Sequence, residues 1–158
     1  MTNRQIAAVL FNISAILKQQ NGNPYRIRAY RRAAQELLRM REQVADRLDT
    51  GKSLGLPRLG PSLTAKVTTL AREGRLPFYE ELCDSLPEDM RTLLRVPGLG
   101  PTIAGRICRD IGPTDAAGLR RAVAAGRIQR VWGVGPKRTA AIANALGSAG
   151  AQQERLPL

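Results

Sequence analysis

Three copies of one short pattern constrain this chain more than any other feature: Leu59-Gly60-Pro61-Ser62, Leu99-Gly100-Pro101-Thr102 and Val134-Gly135-Pro136-Lys137, with their glycines 40 and 35 residues apart. Proline is well suited to the first position of a helix, because the N–H it lacks would have no helical partner there and its fixed φ is already helical. Each copy therefore predicts a turn at the glycine and a helix beginning at the proline, with a short helix leading in. An Ala-bearing amphipathic stretch follows each one. The apolar content, 43%, is mostly Leu, Ile, Val and Ala with few aromatics, which suits short helices in close contact. The expected fold class is all-α.

Charge narrows the partners. The chain has 25 Lys and Arg against 13 Asp and Glu, a net charge of +12, and many of the basic residues lie beside the Gly-rich turns. Solubility alone requires far less charge, so a polyanion is indicated, with nucleic acid the leading candidate. A membrane surface would call for one long basic amphipathic helix, and none stands out. No apolar run approaches the length of a transmembrane helix, and the N-terminus lacks the order of a signal peptide. The expectation is a cytoplasmic, nucleoid-associated monomer with no membrane partner. Histidine is absent, which removes His-based acid–base chemistry, Ser-His-Asp triads and the usual zinc sites, so no metal site is expected. Cys83 and Cys108 each follow an apolar residue in a helical pattern and read as reduced, half-buried thiols.

Along the chain, Thr2-x-x-Gln5 is a capping-box pattern, and Ile6, Val9, Leu10, Ile13, Ile16 and Leu17 share one helical face. Asn21-Gly22-Asn23 closes that helix. Asn23-Pro24 then starts a second, which carries Tyr25, Arg26, Arg28, Tyr30, Arg31 and Arg32 before Leu37 and Leu38. This is the densest basic stretch with interleaved aromatics, a pattern suited to nucleic acid, though a solvated face with core-edge tyrosines would read the same way. Val44, Ala45 and Leu48 predict a short third helix, and Gly74 a left-handed cap after a helix over 61–73. Leu76-Pro77 starts a short helix with Phe78. A boundary near Ser85-Leu86-Pro87 divides the chain into domains 1–85 and 86–147. Helices are expected over 86–95 and from a Thr114-Asp115 cap to about residue 125. Residues 148–158 lack periodicity and are expected to form a flexible tail.

The repeated turns have a physical use. Glycine lets the backbone approach a phosphate closely, and the first N–H groups of the helix behind it point outward at the positive end of the dipole. Such an element grips a nucleic-acid backbone without reading bases. The three segments resemble helix-hairpin-helix motifs, with Gly60, Ser62, Gly98, Gly100, Thr102, Arg106, Gly133, Gly135, Lys137 and Arg138 placed for DNA contact. The first copy departs from the pattern, because Arg58 stands where Gly98 and Gly133 stand in the others; it would either narrow the turn's conformational range or add a phosphate contact, and it is placed among the DNA-binding residues. Turn carbonyls of this motif class can also hold a monovalent cation, Na or K, although no cofactor is required.

Taken together, residues 3–147 resemble the N-terminal region of family X DNA polymerases, most closely the bacterial type. The stretches that carry the resemblance run from Asn23 to Ala34, from Gly74 to Leu82 and from Val96 to Gly100. The resemblance implies a polymerase-beta-like four-helix lyase domain followed by a helix-hairpin-helix DNA-binding domain. The 158 residues leave no room for the family's nucleotidyl-transfer domain, so polymerase activity is not expected. The family's nucleophilic lysine falls at Lys66; the matching positions after the other turns are Arg106 and Ala141. By the same resemblance, Arg26 would meet a 5′-phosphate, Tyr30 would stand beside the lysine as a second catalytic residue, and Tyr25 would stack on a template base. Ser62, Ala65 and Phe78 depart from the family's basic, acidic and basic residues, so the phosphate pocket would either be weaker here or lean on Arg26, Arg31 and Lys52.

Lys66 also stands out on its own chemistry. Four of the 25 basic residues are lysines, so basic positions default to arginine here. A neutral amine can attack an aldehyde, and a guanidinium cannot. Leu63 and Leu70 flank Lys66 at helical spacing, which puts its stem along the apolar face and favours partial desolvation. A snorkelling lysine or a plain phosphate contact would occupy the same position. Three functions remain open on these grounds. The first is a stand-alone 5′-deoxyribose-phosphate or abasic-site lyase that acts through a Schiff base in base excision repair, beside a separate polymerase and ligase. The second is a non-catalytic module that recruits a repair enzyme to gaps or ends, and the third is a structural nucleoid protein.

Overall fold

The computed structural model describes residues 1–153, and among these every regular element is helical. They divide into two compact units, Met1–Cys83 and a second that begins at Asp84, each with its own apolar core.

The first unit contains α1 (Asn3–Gln19), α2 (Pro24–Arg39), α3 (Val44–Asp49), α4 (Pro61–Glu73) and α5 (Pro77–Asp84). The capping box at the start of α1 is complete: the Gln5 N–H donates to Thr2 Oγ1 at 3.2 Å, and the Thr2 N–H to Gln5 Oε1 at 2.8 Å. Ile6, Leu10, Ile13 and Leu17 then point inward, against Tyr30, Ala33, Ala34 and Leu37 of α2. Both sets follow the three- and four-residue spacing of one helical face. Leu38 lies on the opposite side of α2 and is exposed, so Leu37 alone of that pair joins the core. Asn23 caps α2 through its side-chain oxygen, which accepts the Tyr25 N–H at 2.9 Å. Val67, Leu70 and Ala71 of α4 complete the core, and Phe78, Tyr79 and Leu82 of α5 lie against it. Each fully buried aliphatic side chain contributes roughly 1.5–3 kcal/mol.

A polar clasp that hydrophobic periodicity could not disclose ties the start of α1 to the start of α3. Asn3, buried at 4% exposure, donates from Nδ2 to the Glu42 carbonyl at 2.9 Å, accepts the Val44 N–H at 2.8 Å, and gives its own N–H to Gln43 Oε1 at 2.8 Å.

The second unit contains α6 (Glu88–Leu94), α7 (Pro101–Ile111), α8 (Ala116–Ala124), a 3-10 turn (Ile128–Arg130) and α9 (Pro136–Gln153). Asp115 caps α8, accepting the Gly118 N–H at 2.7 Å. The apolar residues on either side of each turn, Val96 and Leu99, then Val131 and Val134, are buried in one core with Leu93, Ile107, Leu119 and Ile142. Those flanking residues anchor the turns and leave the glycines outside.

Two expectations need correction. A helix leads directly into the turn only at the second hairpin, where α6 ends at Leu94. At the first, α3 ends at Asp49 and an irregular stretch connects it to α4, with Gly51 and Gly55 at positive φ and no helical periodicity. At the third, the lead-in is the 3-10 turn. The tail expected from Ser148 begins as helix, since α9 continues through Gln153. Lack of apolar periodicity is not lack of helix propensity, and no proline interrupts the sequence before Pro157. The rest of that tail, 154–158, lies outside the described residues.

Candidate active site and nucleic-acid interface

Three helices of the first unit bring their functional side chains to one place. Lys66, in the second turn of α4, has a half-buried stem, and its Nζ is 2.7 Å from Ser62 Oγ, one turn earlier on the same face. The ring of Phe78, at the start of α5, has its centroid 5.0 Å from that Nζ. Arg26 of α2 lies 5.8 Å from the same centroid. Tyr30, one turn further along α2 and buried, stacks on Phe78 with centroids 6.4 Å apart and planes 7° from parallel. Burial, and after it the positive charge of Arg26, hold the Lys66 amine below the ordinary lysine range. Burial pushes the Tyr30 phenol up, against the Arg26 guanidinium beside it, so the phenol stays protonated at neutral pH. The group is therefore an amine with a raised neutral fraction, a hydroxyl in contact with it, an aromatic wall and a guanidinium.

Phe78 is the member that sequence reasoning missed. As a departure from a basic position it looks like a loss, but in the fold its ring is the apolar surface over which Lys66 and Arg26 lie. Its place early in a helix that begins at Leu76-Pro77 was readable, but which neighbour it would meet was not. Lys52 is not brought into this group. Its Nζ pairs with Glu42 Oε1 at 3.1 Å, while Arg47 takes the other oxygen at 2.7 Å, and together they hold the Glu42 carboxyl below the usual range. Tyr25, at 76% exposure, presents its ring with the Arg28 guanidinium 4.7 Å from the centroid, and Arg31 is exposed.

The three turns share one geometry. The Gly60, Gly100 and Gly135 carbonyls each accept the first helical N–H, from Thr64, Ala104 and Thr139, at 3.0 Å. Two residues before each of these glycines the backbone is left-handed: φ is 58° at Arg58, 76° at Gly98 and 89° at Gly133. Arg58 thus adopts the conformation its glycine counterparts adopt, at a cost of about 1–2 kcal/mol for an L-residue. The second glycine of each turn has a different reason to be there. Gly60 has an extended backbone, φ −74° and ψ 167°, open to any residue, and a Cβ built on it meets nothing within 4 Å. A Cβ on Gly135 also meets nothing. Neither φ nor internal packing requires glycine at these two positions; glycine there serves as the helix N-cap and leaves room for a partner to come close.

In the second unit, Gly98, Gly135, Lys137 and Arg138 line one cleft of about 470 Å³, so the second turn and the start of α9 face the same space. Thr102 is exposed in the first turn of α7. Arg138 also has a structural bond, from NH1 to the Gly133 carbonyl at 2.6 Å. Arg106 lies 4.4 Å over the ring of Trp132, an exposed residue that sequence reasoning passed over. The available signal was its position, because the other two turns have Pro57 and Pro97 in its place. Neither cysteine forms a disulfide, and burial, with Asp89 beside it, pushes the Cys108 thiol up to about 12. No helix of the described residues is long and apolar enough to cross a membrane.

Comparison with known proteins bears on the fold and on DNA binding. Residues 1–76 match the model of the helix-hairpin-helix domain family. Over 158 residues the chain is 28% identical to the "DNA polymerase/3'-5' exonuclease PolX" of Bacillus subtilis (strain 168), a match that covers 100% of this chain and 27% of that protein. The chain is thus similar over residues 1–76 to helix-hairpin-helix domains and, along its whole length, to the N-terminal part of a bacterial PolX.

Proposed function

We propose that this protein binds DNA in a repair setting and acts as a 5′-deoxyribose-phosphate or abasic-site lyase, with Lys66 as nucleophile. The domain match and the similarity to PolX support DNA binding. The observation that carries the catalytic reading is the placing of Lys66 Nζ against Phe78 and Ser62, with Arg26 alongside and the amine held below its ordinary range.

The chemistry follows from those groups. Neutral Lys66 attacks C1′ of the ring-opened sugar, and loss of water gives a protonated imine. The imine acidifies the C2′ proton; as that proton leaves, electrons move into the C2′–C3′ bond and the C3′–O bond breaks, releasing the phosphate. Water then hydrolyses the imine, freeing the unsaturated sugar and regenerating the amine. Arg26 is a suitable partner for the 5′-phosphate. Tyr30, protonated and packed under Phe78, is a positioning residue for that ring and for Arg26 rather than a base. Ser62 orients the amine. The lyase would act as a monomer in the cytoplasm, at the nucleoid, with a separate polymerase and ligase completing repair. The helix starts in both units would hold the backbone of nicked or gapped DNA, with Tyr25 available for stacking.

Borohydride trapping on DNA with an incised abasic site tests the assignment. A covalent adduct is expected with the natural chain and none with Lys66→Ala. Lys66→Arg should retain DNA affinity without trapping. An adduct of equal yield in Lys66→Ala would overturn the nucleophile assignment. The Ser62 contact also suits a charged ammonium gripping phosphate. Failure of the natural chain to trap, with affinity lost in Lys66→Ala, would favour a non-catalytic module that recruits a repair enzyme.

A further inference from the structure

The third turn departs most sharply from the other two at the residue before its left-handed glycine. Where they have Pro57 and Pro97, it has Trp132, the only tryptophan in the chain. Proline just before a left-handed residue fixes the turn at little cost, so the tryptophan gives up a rigidifying residue. Nor does it contribute to the core, since the indole is 77% exposed while its neighbours Val131 and Val134 are buried.

The ring nevertheless stands on a held base. The Val134 N–H closes the turn onto the Val131 carbonyl at 3.0 Å. Arg138 donates to the Gly133 carbonyl at 2.6 Å. A Cβ on Gly133 would come within 2.9 Å of Ile103 and 3.2 Å of Arg106, so α7 lies directly against the turn. Arg106 covers part of the indole from there, at 4.4 Å, and leaves most of the ring open. Exposed Arg130, Lys137 and Arg138 adjoin it in the chain. A phosphate requires N–H groups and positive charge, which the helix start supplies; a broad π surface backed by a guanidinium instead suits the face of a base.

We propose that Trp132 is a stacking platform for a base whose face is uncovered, either an unpaired nucleotide or the terminal pair at a strand interruption. In continuous duplex every base face is already stacked, so the indole has no partner there. The platform would therefore favour interrupted over continuous DNA. This proposal rests on the DNA-binding reading above.

A single tryptophan makes emission a direct reporter. The full chain is titrated with a covalently closed circular duplex, the same duplex carrying a single-nucleotide gap, and a single-stranded oligonucleotide, with occupancy followed by anisotropy of a fluorescein label. At saturation, the emission is expected to be quenched by gapped DNA and unchanged by the closed circle. Quenching by the single strand as well assigns the partner as an unpaired base; quenching by gapped DNA alone assigns the terminal pair. Trp132→Ala, checked for folding by circular dichroism, should weaken gapped-DNA binding roughly tenfold while closed-circle binding stays within about twofold, with Trp132→Phe between. Saturation by gapped DNA with no change in emission would overturn the platform, as would an equal loss of both DNAs in Trp132→Ala. Absence of binding to all three DNAs would instead refute the DNA-binding reading, and the platform with it.

Discussion

The clearest prediction concerns the second glycine of the turns. Gly60→Ala and Gly135→Ala should leave the fold almost unchanged and weaken DNA binding. At Gly60 the backbone, φ −74° and ψ 167°, suits alanine before a proline, and the added methyl meets no atom within 4 Å. Fewer unfolded conformations favour the alanine variant by about 0.4–1 kcal/mol. Alanine is a poorer N-cap than glycine, by a similar amount, so the two effects nearly cancel. For a unit of this size the melting temperature should move by no more than about 3 °C. On DNA the methyl would stand where a phosphate must approach the helix start. Losing one charge-assisted bond to an N–H costs roughly 1.5–3 kcal/mol, a factor of about 10–100 in affinity. Anisotropy titrations at fixed salt, beside thermal melts, measure both quantities. Gly98→Ala is the control: it also meets no atom, but its φ of 76° makes it destabilising by about 1–2 kcal/mol. Unchanged affinity in Gly60→Ala, or a melting loss as large as that of Gly98→Ala, would refute the division between a glycine placed for the partner and a glycine placed for the backbone.

Other outcomes follow from the same contacts. Trapping by Lys66 should rise with pH as the amine loses its proton; because the positive charge of Arg26 helps to lower its pKa, Arg26→Gln should move that rise to higher pH. A pH–rate profile of trapping decides this, and no displacement in Arg26→Gln would remove that charge from the account. Asn3→Ala leaves the Val44 N–H and the Glu42 carbonyl without their partner, so the first unit should lose about 2–4 kcal/mol and melt roughly 10–20 °C lower. Arg58→Gly removes the cost of a left-handed arginine but adds unfolded-state freedom, so stability should change by less than about 1 kcal/mol. If Arg58 meets a phosphate, the slope of log affinity against log salt should fall by about one.

Much of the fold is written locally. The Thr2 and Asn23 caps, the left-handed Gly74 and the helix starts at Pro24, Pro61, Pro101 and Pro136 each depend on a few adjacent residues, and all are found where the sequence predicts them. The lead-in to the first turn was harder to read, because an irregular connection leaves no periodicity. Lys66 could be singled out because an amine in an arginine-rich chain is chemically distinct wherever it lies.

What surrounds that amine was settled by packing. Phe78 and Arg26 lie 12 and 40 residues from Lys66 in the chain and reach it only because α2, α4 and α5 share a core. Lys52, equally basic in the sequence, is drawn to Glu42 instead. Trp132 reads as an ordinary apolar residue until the core takes Val131 and Val134 and leaves the indole outside beside Arg106. Turns, caps and net charge are sums of short-range preferences, so the sequence alone determines them. Whether a lysine is desolvated, a cation paired or a ring exposed depends on residues brought together from distant parts of the chain, and that only the tertiary structure decided.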